Sequence, residues 1–191
     1  MLLSLIIPTH DIPERGMFLQ RLLDSIDVQS YRDFEIILCN THKSMATNLN
    51  FGMSQARGEW VKIMCMDDAF RHTDSLKNLM DNVSGERWVI QATTMSTQPT
   101  WTNNILTGNN QLGPLSALAM RRPYMLTYPL FNELRWIVDI DLYWRLNKIC
   151  PPKIISSLDI YIGTGEHQET FKISEDEKSR EITYLRRTYE V

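Results

Sequence analysis

Three cysteines (Cys39, Cys65 and Cys150) in 191 residues are too few and too scattered for a disulfide framework or a structural zinc site. An excess of either charge is also missing. The formal net charge of −3 argues against a nucleic-acid binder that works by blanket phosphate neutralisation, leaving room only for a local basic patch. Long hydrophobic runs are absent as well. The apolar opening at residues 2–7 stops at Pro8 and has no basic leader, so it reads as neither a signal peptide nor a membrane span. No repeat, low-complexity tract or linker divides the chain, and the expectation is a single cytoplasmic domain. With 43% hydrophobic and 23% charged residues, a disordered or collagen-like chain is excluded.

Several catalytic signatures are missing too. No G-x-G-x-x-G follows the first apolar run, and no G-x-x-x-x-G-K-[ST] occurs, which excludes the usual dinucleotide fingerprint and a P-loop. There is no H-E-x-x-H and no G-x-S-x-G, and no Cys/His pair points to nucleophilic hydrolysis.

What is present is an ordered alternation. Residues 2–7 have the near-continuous apolar character of a strand buried on both faces of a parallel sheet. Apolar positions 18, 19, 22, 23 and 26 predict a helix over 17–26. A strand at 34–39, a helix at 44–56 closed by Gly58 and a strand at 59–64 follow. This order predicts α/β architecture: a mostly parallel central sheet, flanked by helices, with right-handed crossovers. Farther on we expect a helix at 73–83, a strand at 87–92, a long, polar functional loop without obvious period at 93–114 and a strand at 115–120. A helix at 138–146, a strand at 154–162 and a charged surface helix complete the chain.

Ligands of open parallel sheets bind at the carboxyl ends of the strands. Those ends carry Thr9, His10 and Asp11, then Asn40 and Thr41, then Asp67 and Asp68. Adjacent aspartates after a buried strand suit a hard divalent cation, completed by substrate phosphates. On spacing alone they are equally a capped turn. The histidines form no ligand spacing, and Trp136, Tyr143 and Trp144 suit a core at least as well as a sugar platform.

The order of short motifs carries more. Leu5-Ile6-Ile7-Pro8-Thr9 is followed by Leu22-Leu23-Asp24-Ser25-Ile26, Gln29-Ser30-Tyr31 and Phe34-Glu35-Ile36-Ile37. Then come Asn50-Phe51-Gly52, Ala56-Arg57-Gly58-Glu59-Trp60, Asp67-Asp68, Phe131-Asn132-Glu133, Asp139-Ile140-Asp141-Leu142 with Arg145, and His167-Gln168. Across nearly its whole length the chain resembles a family 2 glycosyltransferase with the GT-A nucleotide-sugar fold.

The resemblance implies an inverting, metal-dependent transfer of sugar from a nucleotide-diphosphate donor, a UDP-sugar foremost, to a hydroxyl acceptor, expected to be a glycan. It assigns residues 1–92 to the donor and 93–191 to the acceptor. Pro8, Thr9, His10, Asn40, Asn50 and Asp67 would hold the nucleotide sugar. Asp68, with Asp67 and His167, would hold Mn²⁺ or Mg²⁺, and Asp139 would be the general base. The acceptor would lie between loop 93–114 and the Asp139 helix, against Trp101 or Trp136. Neither nucleic acid nor a membrane span is expected, and a homo-oligomer is left open. The chain departs from the family pattern at four places: Cys65 replaces the first acid of the D-x-D, Asn40-Thr41 replaces an acidic pair, and Leu49 and Val138 replace an arginine and a glutamate. These departures keep open a second reading, a catalytically degenerate nucleotide- or glycan-binding module. A nucleotidyltransferase ranks last, because a proline-bearing loop stands where that class has a glycine-rich basic one.

Overall fold

The computed structural model describes residues 1–189. One seven-stranded sheet runs through it in the order β2-β1-β3-β6-β5-β7-β4. Strands β1 (Leu3–Pro8), β2 (Phe34–Cys39) and β3 (Trp60–Ile63) are parallel, joined by helices α1 (Arg15–Asp27) and α2 (Met45–Gln55), as the alternation predicts. Strand β4 (Ala69–Phe70), helix α3 (Ser75–Asp81) and strand β5 (Trp88–Thr93) follow. β6 (Leu118–Arg121) is inserted antiparallel between β3 and β5, and β7 (Lys153–Tyr161) lies parallel to β5. So β1, β2, β3, β5 and β7 run one way, while β6 and the short edge strand β4 run against them.

The alternation of β1 shows why both faces are covered. Leu3, Leu5 and Ile7 join Leu22 and Ile26 of α1 and Leu76 and Leu79 of α3, whereas Ile6 joins Leu49 and Met53 of α2 on the opposite face. Each fully buried leucine or isoleucine is worth roughly 1.5–3 kcal/mol relative to exposure. Helix α2 sits close over the sheet: a Cβ on Gly52 would stand 2.6 Å from Ile6 Cγ2 and 3.0 Å from Cys39 Sγ. Only a glycine permits that approach.

Differences from the sequence expectation have local causes. The predicted strand at 115–120 begins as a 3-10 turn (Leu115–Ala117) that Pro114 introduces, and pairing starts at Leu118. The loop at 93–114 is only partly polar. Ile105, Leu106 and Leu112 are buried, and a 3-10 turn (Ile105–Thr107) packs against the helices that follow. Helix α4 (Arg122–Thr127) appears where none was expected, with Pro123 in its first turn. α5 (Val138–Asn147) forms as predicted, and α6 (Glu169–Lys172) leads to α7 (Glu175–Tyr189), which docks through buried Leu185. No described helix is long and apolar enough to cross a membrane.

Candidate active site

A cleft of about 500 Å³ opens at the carboxyl ends of β1, β2 and β3. Pro8, His10, Asn40, Asp67 and Asp68 reach it from these ends, and Asp139 and His167 close it from the C-terminal half. Two of the expected donor contacts do not line it. Thr9 is buried beneath the cleft, its carbonyl accepting from Asn48 Nδ2 at 3.3 Å. Asn50 is spent elsewhere: its amide donates to the Leu130 carbonyl at 2.8 Å and accepts from the Leu130 N–H at 2.9 Å. A side chain paired in both directions with backbone is a brace for the segment entering the second half.

The two aspartates face different ways. Asp67 Oδ2 lies 2.8 Å from His167 Nε2, each side chain 15% exposed. Asp68 is almost fully buried, accepts from the Gly163 N–H at 2.9 Å and is hydrogen-bonded by Ser116. Burial and the neighbouring Asp67 charge push its carboxyl up. Ser116 also accepts from the Cys65 N–H at 2.8 Å, and its carbonyl takes the buried Lys62 ammonium. Burial drives Lys62 down to about 7. Gly163 is required here, since any Cβ would collide with the Asp67 carbonyl, which also accepts from Arg21. The end of β7 and the aspartate loop are thus tied together.

Asp67 and His167 are hydrogen-bonded to each other, so a divalent cation held by both would replace that contact. Neighbouring corners of an octahedron with bonds of about 2.1 Å lie about 3 Å apart. Among the described residues no group of three His, Cys, Asp or Glu side chains is arranged to hold a metal.

Asp139 stands in the first turn of α5, half-buried at the cleft wall. Its Oδ2 accepts from Asn110 Nδ2 at 2.7 Å and its Oδ1 from the Ile140 N–H at 2.8 Å. Burial outweighs both bonds and raises its pKa to about 6. Glu181 of α7 holds the entrance of that helix, accepting from the N–H groups of Arg135, Trp136 and Ile137 at 2.9, 3.0 and 3.2 Å. A carboxylate there satisfies donors that the helix cannot and complements its dipole.

At the other end of the cleft, Asn40 donates to Asp11 at 3.0 Å, and His42 Nδ1 lies 2.7 Å from the second Asp11 oxygen. Burial lowers the pKa of His10, favouring its neutral imidazole. Cys65 lines the cleft, but burial raises its thiol well above the usual range, so it carries no charge there. Of the two tryptophans expected near an acceptor, Trp101 stacks on Trp144 with centroids 6.0 Å apart, whereas Trp136 lines the cleft. Trp136 also borders a second groove of about 540 Å³ that meets the first at Asp139.

Four residues in this arrangement escaped the sequence reading: Asn110, Ser116, Glu181 and Lys62. Lysine inside the apolar run Trp60-Val61-Lys62-Ile63 was the visible signal; Asn110 and Glu181 sit in polar and charged stretches that offer none.

No protein-family model matches the chain, and no curated protein matches it by sequence. Solved structures do match by fold. TarS residues 1–349 from S. aureus, in complex with UDP-GlcNAc, superposes with a TM-score of 0.68 at 14% identity, over 100% of this chain and 73% of that one. The chain spans 44% of a longer TarS structure. Glucosyl-3-phosphoglycerate synthase from Mycobacterium tuberculosis, in complex with Mn²⁺, UDP and glucosyl-3-phosphoglycerate, gives 0.64 at 12% identity, over 97% and 78% of the two chains. The mannosyltransferase PcManGT from Pyrobaculum calidifontis, in complex with GDP-Man and Mn²⁺, gives 0.62 at 14% identity, over 86% and 57%. By strand order and these superpositions, the chain has the GT-A fold.

Proposed function

We propose that the cleft binds a nucleotide-diphospho-sugar, a UDP-sugar foremost, and transfers the sugar to an acceptor hydroxyl with inversion. One observation carries the reading. A half-buried carboxylate, Asp139, faces the same cleft as the Asp67–His167 pair, at the strand ends where the fold binds ligands. Structures of the same fold that contain UDP-GlcNAc or GDP-Man with Mn²⁺ support the donor class.

In this mechanism Pro8, His10 and Asn40 line the nucleotide end, with Asn40 held by Asp11. Asp67 and His167 would hold the divalent cation, Mn²⁺ or Mg²⁺, with Asp68 fixing the loop behind them. When bound, that ion offsets the negative charge growing on the diphosphate. Asp139 takes the proton of the acceptor hydroxyl as its oxygen bonds to the anomeric carbon. The bond from that carbon to the diphosphate oxygen breaks, and the electron pair leaves with the diphosphate. A single displacement inverts the configuration without an enzyme nucleophile. With a pKa of about 6, Asp139 is ionised at neutral pH yet remains a competent base.

One observation favours the alternative of a binding module without turnover. Cys65 presents a neutral thiol where the family carries a carboxylate, a weak acceptor for ribose hydroxyls. The two readings separate by experiment. Purified protein is incubated with a panel of UDP- and GDP-sugars and a panel of hydroxyl acceptors, with and without Mn²⁺, and nucleoside diphosphate release is followed beside thermal stability. Transfer reads as metal-dependent release lost in Asp139→Asn. Thermal stabilisation by a donor without any release, in wild type and variant alike, selects the binding module.

A further inference from the structure

The two edges of the sheet are unlike. At one edge, β4 is two residues long, and so short a strand resists further pairing. At the other, β2 offers six residues with no proline, bulge or lysine to guard them. The carbonyls of Asp33 and Cys39 accept from the Leu3 and Thr9 N–H groups, so residues 33, 35, 37 and 39 turn their backbone inward to β1. Ile36 and Leu38 therefore turn N–H and C=O outward, where no described strand meets them. The same two residues carry exposed apolar side chains, Ile36 at 41% and Leu38 at 50%. Their register with Leu5 and Ile7 sets them on the α1 face of the sheet. Helix α1 leans away from them: Arg21 reaches the Asp67 carbonyl, and Ser25 Oγ accepts from the Phe70 N–H. The opposite flank of α1, with half-buried Leu19 and Leu23, faces the β2 side. Glu35, the one charge within β2, is turned to the other face and held by Ser4 and Arg57.

We propose that β2 is a dimerisation edge whose occupant is β2 of a second copy of this chain, paired antiparallel about a two-fold axis at Ile37. A row of outward donors and acceptors is satisfied along its length by another extended backbone. In this register Ile36 of each copy exchanges both backbone hydrogen bonds with Leu38 of the other. The four side chains then gather on one face, between the Leu19–Leu23 flanks of the two α1 helices, as the apolar centre of the interface. Centring the pair on Ile36 would instead call on the Phe34 N–H, which already donates to the Arg32 carbonyl. Charge agrees with the Ile37 register. Glu35 lies opposite Cys39 rather than its own copy, and each end of the strand carries both signs, Arg32 and Asp33 at the start, Asp11 and Lys43 beside the finish. The area agrees as well. Six residues make a face about 20 Å long, and α1, the sheet and α2 make it three layers deep at about 10 Å each, about 600 Å² per copy. The total of about 1,200 Å² stands at the lower limit of specific interfaces, which makes the dimer concentration-dependent. A two-fold pair consumes the β2 edge of both copies, so assembly stops at two. The carboxyl ends of the two sets of strands then point in opposite directions, and the two clefts open at opposite rims of one continuous sheet. None of this rests on the transfer reading.

Sedimentation velocity of the full chain, over roughly 2–500 µM, tests the edge. We expect the mass to rise from one chain toward two across that range. Leu38→Lys places a charge in the apolar centre and should weaken association at least roughly tenfold while the protein melts as wild type does in dilute solution. Met17→Lys, at a 64% exposed position of α1 away from β2, should leave association unchanged. Ile37→Cys reads the register without relying on loss. At the axis the two Cα atoms stand about 4.5 Å apart, within disulfide reach, so mild oxidation should join the two substituted positions, as peptide mass mapping locates. One chain at every concentration overturns the inference and leaves the edge to a different partner. A dimer that survives Leu38→Lys, a species larger than two, or no cross-link at position 37 overturns it equally.

Discussion

Asn110 donates to Asp139 across 29 residues of sequence, and the same side chain shapes the turn that brings it there. Its amide reaches Asp139 Oδ2 at 2.7 Å and the Gly113 carbonyl at 2.8 Å, while its oxygen accepts from the Leu112 N–H at 2.9 Å. The bond to Asp139 favours the charged carboxylate and partly offsets its burial. Asn110→Asp keeps an acceptor for the turn but sets a carboxylate against the base. The acid limb of the kcat profile, expected near pH 6 in the wild type, should move upward by at least about one unit in the variant. An unmoved limb counts against Asp139 as the titrating base.

Asp139 also links activity to stability with a definite sign. Its folded-state pKa of about 6 lies above the ordinary 3.8, so the native state holds this proton more tightly than the unfolded chain does. The resulting stabilisation is complete below about pH 4 and is lost as the pH rises through 6. Asp139→Asn removes that loss. It should unfold later than wild type at pH 8, by up to about 3 kcal/mol, and show no such gain at pH 3.5. The same substitution should lower transfer by roughly 10²–10⁴-fold. Urea titrations at the two pH values, set beside initial rates, check both halves.

The aspartate pair predicts unequal variants. Asp67→Asn and His167→Ala each remove half of the facing pair and should weaken Mn²⁺ binding in the presence of UDP by at least roughly tenfold, measured by calorimetry. Asp68→Asn should leave metal affinity nearer to wild type, because that side chain is committed to the Gly163 N–H and Ser116. Its cost should instead appear as a lower melting temperature. Equal loss of metal affinity in all three variants would falsify the division between a facing pair and a buried support.

Glu181 predicts an effect from outside the cleft. Glu181→Ala leaves the N–H groups of Trp136 and Ile137 without their acceptor and should lower stability by about 1–2 kcal/mol. It should also lower kcat more than it raises KM for the donor, because the helix start carries Asp139. Glu181→Gln, which retains an acceptor oxygen, should recover most of the loss. A fall in stability with kcat unchanged would mean that the contact serves the fold alone.

How much of this could be read beforehand follows from the physics of each element. The first five elements were legible because their apolar residues are written in consecutive or helically spaced positions, as in residues 2–7 and at 18, 22 and 26. Strand β4 was not, because two residues become a strand only through pairing with Tyr161 and Ile160. Ile105, Leu106 and Leu112 were visible as apolar residues but follow no helical or strand period, so the loop around them read as polar. At the site, Asp67, Asp139 and His167 were named from motif order, and the structure brings them to one cleft. The pairing of Asn50 with the Leu130 backbone was not legible, because a motif records a residue's presence and not the direction of its amide. Glu181 was hidden in a charged run because its partners are backbone groups more than 40 residues away.

The tie between Asp67 and His167 spans 100 residues, and the strand that secures the aspartate loop, β7, enters the sheet between β5 and β4. During synthesis, then, β1, β2 and β3 can associate while the cleft still lacks its far wall. The Asp67–His167 contact, the Glu181 cap on α5 and the Gly163 bond to Asp68 all wait for residues beyond 160. Closing such distant contacts is slow relative to local pairing. A chain emerging from the ribosome can therefore pair β1, β2 and β3 well before the far wall of the cleft is made.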